Sequence, residues 1–299
     1  MLNLPLPLRT SGKHLALIAS ILMAVMIARG ASADTAVWKA SSGSSHLYLA
    51  GTVHLLRPSD YPLPEEFNQA YADSNRLFFE TDIGSMNDLA TQASMLQQLT
   101  YSDGRTLQSV LNQEAYTALS DYLATLGLPI QMLQSFKPGL VVSTLEVFEF
   151  QKMGFTPQGV DMHFYNRALG DGKPTGELEP IQAQIDYIAN MGVGNESDFI
   201  LLSLQDMSEI ENQMEQLIAA WRNGRNEELA DLFVNDMKEQ SLELYNSLLV
   251  ERNNNWMKVI EAMFTQDGTE FILVGAAHLV GDDGLLKQLA AKGYTVEQL

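Results

Sequence analysis

The sequence has no cysteine among its 299 residues, and that absence closes several chemical routes at once. There can be no disulfide, no thiolate metal ligand and no cysteine nucleophile. Stability must come from the size of the buried core instead. Positive charge is also scarce: 18 Lys and Arg stand against 37 Asp and Glu, a formal charge of -19. So acidic a surface repels phosphate and anionic lipid, which argues against nucleic acid as a partner. No Gly-x-Ser-x-Gly elbow, phosphate-binding loop or dinucleotide glycine fingerprint is present. Long apolar runs are missing too. After residue 33 none approaches the roughly 18 apolar residues of a membrane span.

The N-terminal stretch differs from the rest. Arg9, Lys13 and His14 precede the apolar residues 15–28, and Ala31-Ser32-Ala33 follows as a small-x-small site. These are the three parts of a secretory signal peptide, with cleavage predicted after Ala33. The alternative, a membrane anchor, would need a longer apolar run. Loss of residues 1–33 removes Arg9, Lys13 and Arg29 and no acid, so the remainder is more negative still. The expectation is a signal peptide at 1–33 and one domain at 34–299, periplasmic or secreted, with no membrane span after cleavage. A composition of 46% hydrophobic and 18% charged residues fits a globular domain.

Two copies of one pattern organise that domain. The apolar run His46-Leu47-Tyr48-Leu49-Ala50 leads into Gly51-Thr52-Val53-His54, and Phe271-Ile272-Leu273-Val274 leads into Gly275-Ala276-Ala277-His278. Each reads as a buried strand, a glycine that permits a turn or a close approach, and a histidine three residues on. In one sheet the two histidines would leave matching strand ends, where open α/β sheets bind ligands.

Between them the chain reads as a hairpin turning at residues 40–45, a proline-rich loop at 57–64, a helix at 65–74 opened by Pro64, and a strand at 76–82. Residues 84–154 carry helical periodicity, with Lys137-Pro138-Gly139 as a break. A turn at 154–159, short helices at 160–169 and 181–191 and a short strand at 173–178 follow. Residues 196–221 read as one long helix, whose Met207, Ile210, Met214, Leu217 and Ile218 form a core stripe. Asn253-Asn254-Asn255 reads as an interruption, and the end as strand, helix, strand. The fold class expected is α/β (α+β), a single domain with a mixed central sheet and a large helical middle section.

Five histidines in all, four of them after residue 33, narrow the chemistry. Neutral imidazole is the commonest metal ligand and the usual general base near neutral pH. His54 and His278 are the matched pair, whereas His46 reads as ordinary surface and His163 as structural or as an orienting neighbour. Glu80, directly after Leu77-Phe78-Phe79, reads either as a surface acid at a strand end beside Asp82 or as a buried carboxylate that needs a cation, a metal or hydrogen-bond donors. Glu177 and Glu179 share one side of a short strand; a solvated pair is the plainer reading, and the other is that one of them reaches the site while its neighbour opens the following helix. Arg252 reads either as an exposed helix arginine or as one that holds a substrate carboxylate, steadies an oxyanion or pairs with a site glutamate.

The motifs Gly51-Thr52-Val53-His54, Phe79-Glu80, Gly154-Phe155-Thr156-Pro157-Gln158-Gly159-Val160-Asp161, Leu178-Glu179-Pro180-Ile181-Gln182, Glu251-Arg252-Asn253 and Gly275-Ala276-Ala277-His278-Leu279 occur in this order. Together they resemble the TraB/GumN family in its secreted bacterial branch, over residues 36–299. That family is similar to the animal Tiki metalloproteases, with paired Gly-x-x-His motifs and an essential glutamate, and is grouped with erythromycin esterase-like and ChaN-like proteins. The resemblance implies metal ligands at His54, His278 and Glu80, catalytic roles for Glu80, Arg252 and Glu179, and a divalent ion such as Mn, Co or Zn. Pro180 stands where the family pattern has a small hydroxyl residue. The function expected is a metal-dependent hydrolase of peptides or of small esters and amides. The alternatives are a metal-free esterase-like hydrolase with a histidine and glutamate base, and a non-catalytic protein that binds a peptide or a tetrapyrrole.

Overall fold

Six strands form the sheet at the centre of the computed structural model, which describes residues 35–299. The predicted signal peptide lies outside the described residues. β1 (Val37–Ser42) and β2 (Ser45–Thr52) make an antiparallel hairpin. β3 (Arg76–Phe79), β4 (Thr175–Glu177), β5 (Glu270–Gly275) and β6 (Thr295–Gln298) complete the order β4-β3-β5-β2-β1-β6. Strands β4, β3, β5 and β2 run parallel, and β1 is antiparallel to both of its neighbours. This is the mixed α/β sheet expected, within one domain.

The register aligns the four parallel strand ends. Thr52 lies opposite Gly275, Phe79 opposite Leu273 and Glu177 opposite Phe79. The residues that follow β2, β3, β4 and β5 therefore emerge on one edge, the carboxyl edge that binds ligands in such sheets.

Burial explains why β5 is central. Phe271, Ile272, Leu273 and Val274 are all fully buried, and alternate residues of a strand face opposite sides, so protein covers both faces. Phe164 of the helix Val160–Asp171 packs edge-on to Phe271 with centroids 5.5 Å apart. Phe67 of the helix Glu65–Asp73 lies between Phe164 and Trp221 of the helix Ile210–Arg222. The Trp221 indole N–H donates to the Gly51 carbonyl at 2.7 Å, which ties that helix to the end of β2. The helical middle keeps a second core of its own, where Leu107, Leu119, Leu123 and Leu145 meet Ile200 and Met207.

Three expectations need correction. The hairpin turns at Gly43-Ser44 alone, because Ser42 pairs with Ser45 and most of residues 40–45 is strand. Gly43 takes the positive φ of +60° that so tight a turn requires. The long helix at 196–221 is two helices, Glu196–Asp206 and Ile210–Arg222, broken by a turn at residues 207–209. Its expected stripe serves two cores: Met207 packs in the helical middle, while Met214, Leu217 and Ile218 pack around the sheet. The three asparagines at 253–255 interrupt nothing, since the helix Glu251–Met263 runs through them. Among the described residues no helix is long and apolar enough to cross a membrane.

Candidate functional site

The carboxyl edge of the sheet gathers five of the residues singled out by sequence. His54 follows β2, Glu80 follows β3, Glu179 follows β4 and His278 follows β5 on the short helix Ala276–Leu279. Arg252 reaches them from the helix Glu251–Met263. Gly275 marks where they converge. A methyl group on it would lie 3.2 Å from Glu80 Oε1, 3.6 Å from His54 Nε2 and 3.7 Å from His278 Cδ2. The glycine of the second Gly-x-x-His unit thus keeps the meeting point open.

Arg252 is the hub. Its Nη2 donates to Glu80 Oε2 at 2.7 Å and to Glu179 Oε1 at 2.6 Å, and its Nε reaches Glu179 Oε1 at 3.0 Å. Nη1 donates to the Leu248 carbonyl at 3.3 Å and meets His278 Nε2 at 3.1 Å. Of the roles considered for this arginine, the observed contacts are those with the site glutamates. Its five N–H groups all have acceptors. The cluster is nearly closed to water: Arg252, Glu80, Glu179 and His278 are each no more than 8% exposed. Trp256 Nε1 donates to Glu179 Oε2 at 3.0 Å, and its ring lies 4.7 Å beneath the guanidinium. Glu177, by contrast, is exposed, so of that pair only Glu179 enters the site.

Both imidazoles are held by Nδ1. Arginine cannot accept a hydrogen bond, so His278 Nε2 is the acceptor and the ring proton sits on Nδ1. That proton is donated to Asn253 Oδ1 at 2.7 Å, while Asn253 Nδ2 donates to the backbone carbonyls of His278 and Asp283. Burial drives the His278 pKa down to about 3, with the Arg252 and His54 charges adding to the effect, so the ring is neutral. His54 Nδ1 meets Asp161 Oδ2 at 2.8 Å, and Thr52 Oγ1 anchors the other Asp161 oxygen at 2.8 Å. Its Nε2 is left facing Glu80 and the cleft, into which 63% of the side chain is open. Asp161 raises the His54 pKa to about 9 against the opposing effect of desolvation. Burial works against the Glu80 charge, but the Arg252 and His54 charges and the Gly275 N–H at 2.7 Å outweigh it and hold its pKa at about 2.

Asp161 and Asn253 are the residues that reading the sequence for chemistry passed over. Both stand inside the motifs, beside Val160 and Arg252, but neither follows a parallel strand. His163 does not share the task of Asp161: it packs against Tyr61 and Phe164. His46 is half-buried at the hairpin and contacts Asp73 at 3.0 Å, away from the site.

Two imidazoles with Nδ1 tethered to side-chain oxygens and Nε2 turned inward, beside a carboxylate, suit Mn, Co or Zn by kind and orientation. The spacing is tighter than that. Among the described residues no three His, Asp or Glu are gathered as a ready metal cage, and His278 Nε2 stands 3.9 Å from Glu80 Oε1 with Arg252 upon it. By type the donors suit such an ion, but as they stand they form no cage and Arg252 occupies His278 Nε2.

A cleft of about 260 Å³ opens beside His54, Glu80 and Asp161, walled by Phe79, Ile83, Met86, Pro157 and Met162.

No solved structure gives a match to the chain. The zebrafish (Danio rerio) protein "Metalloprotease TIKI2" is 24% identical over 307 residues, an alignment covering 84% of this chain and 58% of that protein. The chain thus spans less than two thirds of that relative's length. The model of the TraB/PrgY/gumN family matches residues 36–298, nearly every residue described above. On that match, with the paired Gly-x-x-His units and Glu80 at one sheet edge, the chain belongs to the TraB/PrgY/gumN family.

Proposed function

We propose that this protein is a periplasmic or secreted hydrolase that cleaves peptide bonds with the help of a divalent ion. The observation that carries the reading is the shared orientation of His54 and His278, each tethered at Nδ1 with Nε2 turned toward Glu80. A histidine held this way by a carboxylate is the usual partner arrangement of a metal-ligating imidazole. His54, His278 and Glu80 would hold the ion. When bound it would polarise the scissile carbonyl and lower the pKa of a coordinated water. The chain's own residues supply the rest. Asp161 and Asn253 fix the two rings, and Arg252 keeps Glu80 ionised and holds both Glu80 and Glu179 at the edge of the sheet. The relative named a metalloprotease supports the reaction class.

A metal-free hydrolase is the second reading, and the Arg252 contact on His278 favours it. The cleft speaks against a tetrapyrrole site. Pockets that enclose drug-sized ligands run to about 300–1,000 Å³, more than the 260 Å³ found here.

The test is metal content and affinity of the purified protein beside His54→Ala, His278→Ala and Asp161→Asn. The expected result is one divalent ion per chain, lost in both alanine variants and weakened about 10–100-fold in Asp161→Asn. Peptide cleavage should follow the ion and stop with chelator. Cleavage indifferent to chelator, by protein that binds no ion, would overturn the metal-dependent reading in favour of the second.

A further inference from the structure

Most polar atoms around the cleft are already engaged. Both oxygens of Asp161 are taken, by His54 and by Thr52. Glu80 Oε1 accepts from the Gly275 N–H, and Glu80 Oε2 accepts from Arg252 and, at 3.1 Å, from Gln184 Nε2. The Thr81 hydroxyl oxygen is sealed off. Among the described residues of this wall, His54 Nε2 and Gln184 Oε1 keep unspent hydrogen-bonding capacity. His54 Nε2 is committed to the ion in the reading above, which leaves Gln184 Oε1.

The contact with Glu80 fixes which way this amide points. An ionised carboxylate only accepts, so the NH2 group of Gln184 faces it and the oxygen faces elsewhere. That oxygen has no hydrogen-bond partner among the described residues, yet it is not one of the two unpartnered side-chain atoms closed to water, Thr81 Oγ1 and Asn226 Oδ1. The side chain is half-buried and lines the cleft, which gives the oxygen its outlet. The backbone beneath it is fixed. Gln184 stands on the helix Ile181–Asn190, whose Ile185 is buried, and a methyl group on Gly139 would lie 2.0 Å from the Ile188 carbonyl oxygen. That helix is thus pressed against the helix Pro138–Lys152. An acceptor held on a rigid element needs little further ordering when a donor arrives.

We infer that Gln184 determines the substrate class of this site: its Oε1 accepts an amide N–H of the bound substrate, so that peptides are selected over the corresponding esters. This deepens the hydrolase reading above and rests on it. An ester puts an oxygen where the peptide has its N–H, so two acceptors would face each other and the Gln184 oxygen would be desolvated without a donor.

The probes are N-acetyl-alanyl-X-alanine amides, with alanine, leucine, phenylalanine, lysine or glutamate at X, titrated by calorimetry into the purified protein. The tightest binder is then remade with each backbone N–H replaced in turn by an ester oxygen. One such replacement should weaken binding to the wild type by about tenfold, as an acceptor left without its donor implies. In Gln184→Met, which keeps the length but loses the amide, that ester should bind as well as its parent peptide. In the 15N-labelled wild type, the Gln184 side-chain amide resonance should shift with the parent peptide and not with that ester. A side chain that merely holds Glu80 would weaken every probe alike in Gln184→Met and leave the ester penalty in place, and that result overturns the inference. So does a wild type that shows no ester penalty, a Gln184 resonance that ignores the peptide, or no binding of any probe up to its solubility. The wild-type measurements do not depend on a variant that folds, and thermal melting of Gln184→Met separates lost fold from lost binding. Nor do they depend on cleavage. An ester penalty without hydrolysis of any peptide would sink the hydrolase reading alone, and peptide hydrolysis without an ester penalty would sink the role of Gln184 alone.

Discussion

Arg252 sets one positive charge against two carboxylates, Glu80 and Glu179, in a space nearly closed to water. Such a cluster is weak evidence for stability as a whole, because desolvating three charges offsets most of their attraction. Removing the cation is another matter. Arg252→Gln strands two buried carboxylates and frees His278 Nε2, and it should cost about 3–5 kcal/mol by urea denaturation. The triple variant Glu80→Gln, Glu179→Gln, Arg252→Gln should recover most of that loss, because no buried charge is then left unpaired. A loss below about 1 kcal/mol in Arg252→Gln would mean that water reaches the cluster and screens it.

At the scale of elements, the site depends on how closely the turn at residues 154–159 approaches β2. A methyl group on Gly159 would lie 2.2 Å from the His54 carbonyl carbon and oxygen, and both are backbone atoms that no rotamer change can move aside. Gly159→Ala should therefore push the His54 segment off the sheet edge. We expect a loss of about 1–3 kcal/mol in thermal melting and, with it, weaker binding at His54, as overpacking at a backbone contact implies. An unchanged melting temperature would show that the turn yields. The same elements show how far sequence reaches. The strands leading into His54, Glu80 and His278 were legible because each is an apolar run, closed by Gly51 or Gly275 in two cases and by Glu80 itself in the third. Asn253 was misread because asparagine tends to form turns by bonding nearby backbone. Here its amide is taken by His278 and Asp283, partners 25 and 30 residues away, and the helix continues. The break at residues 207–209 was hidden for the reverse reason. The apolar spacing is regular, but Met207 and Met214 serve different cores, which no spacing encodes.

The whole molecule joins a sheet core to a helical core, and the two differ in how pH acts on them. Glu146, on the helix Pro138–Lys152, is pushed up to about 7 by burial, with the Asp206 charge adding to the shift. Asp206 ends the helix Glu196–Asp206, which packs in the same helical core through Ile200. The ordinary glutamate value is 4.5, so between about pH 4.5 and 7 the folded chain binds more protons than the unfolded one. Stability from this group is then full below pH 4.5 and falls as pH rises toward 7, with the cost complete above it. The sign is opposite to that of Glu80, whose depressed pKa adds stability above 4.5 that is lost as pH falls toward 2. Glu146→Gln removes the buried charge but keeps the shape. Melting of this variant should match the parent near pH 4.5 and exceed it at pH 8 by a margin on the order of 1–3 kcal/mol. Hydrogen exchange should assign the gain to the helices of residues 107–152 and 196–206, leaving the sheet unaltered, because Glu146 is half-buried next to Leu145 of the core that those helices share. A gain spread evenly over β2 and β5 would instead mean that the two cores unfold as one, and that Glu146 titrates the whole domain.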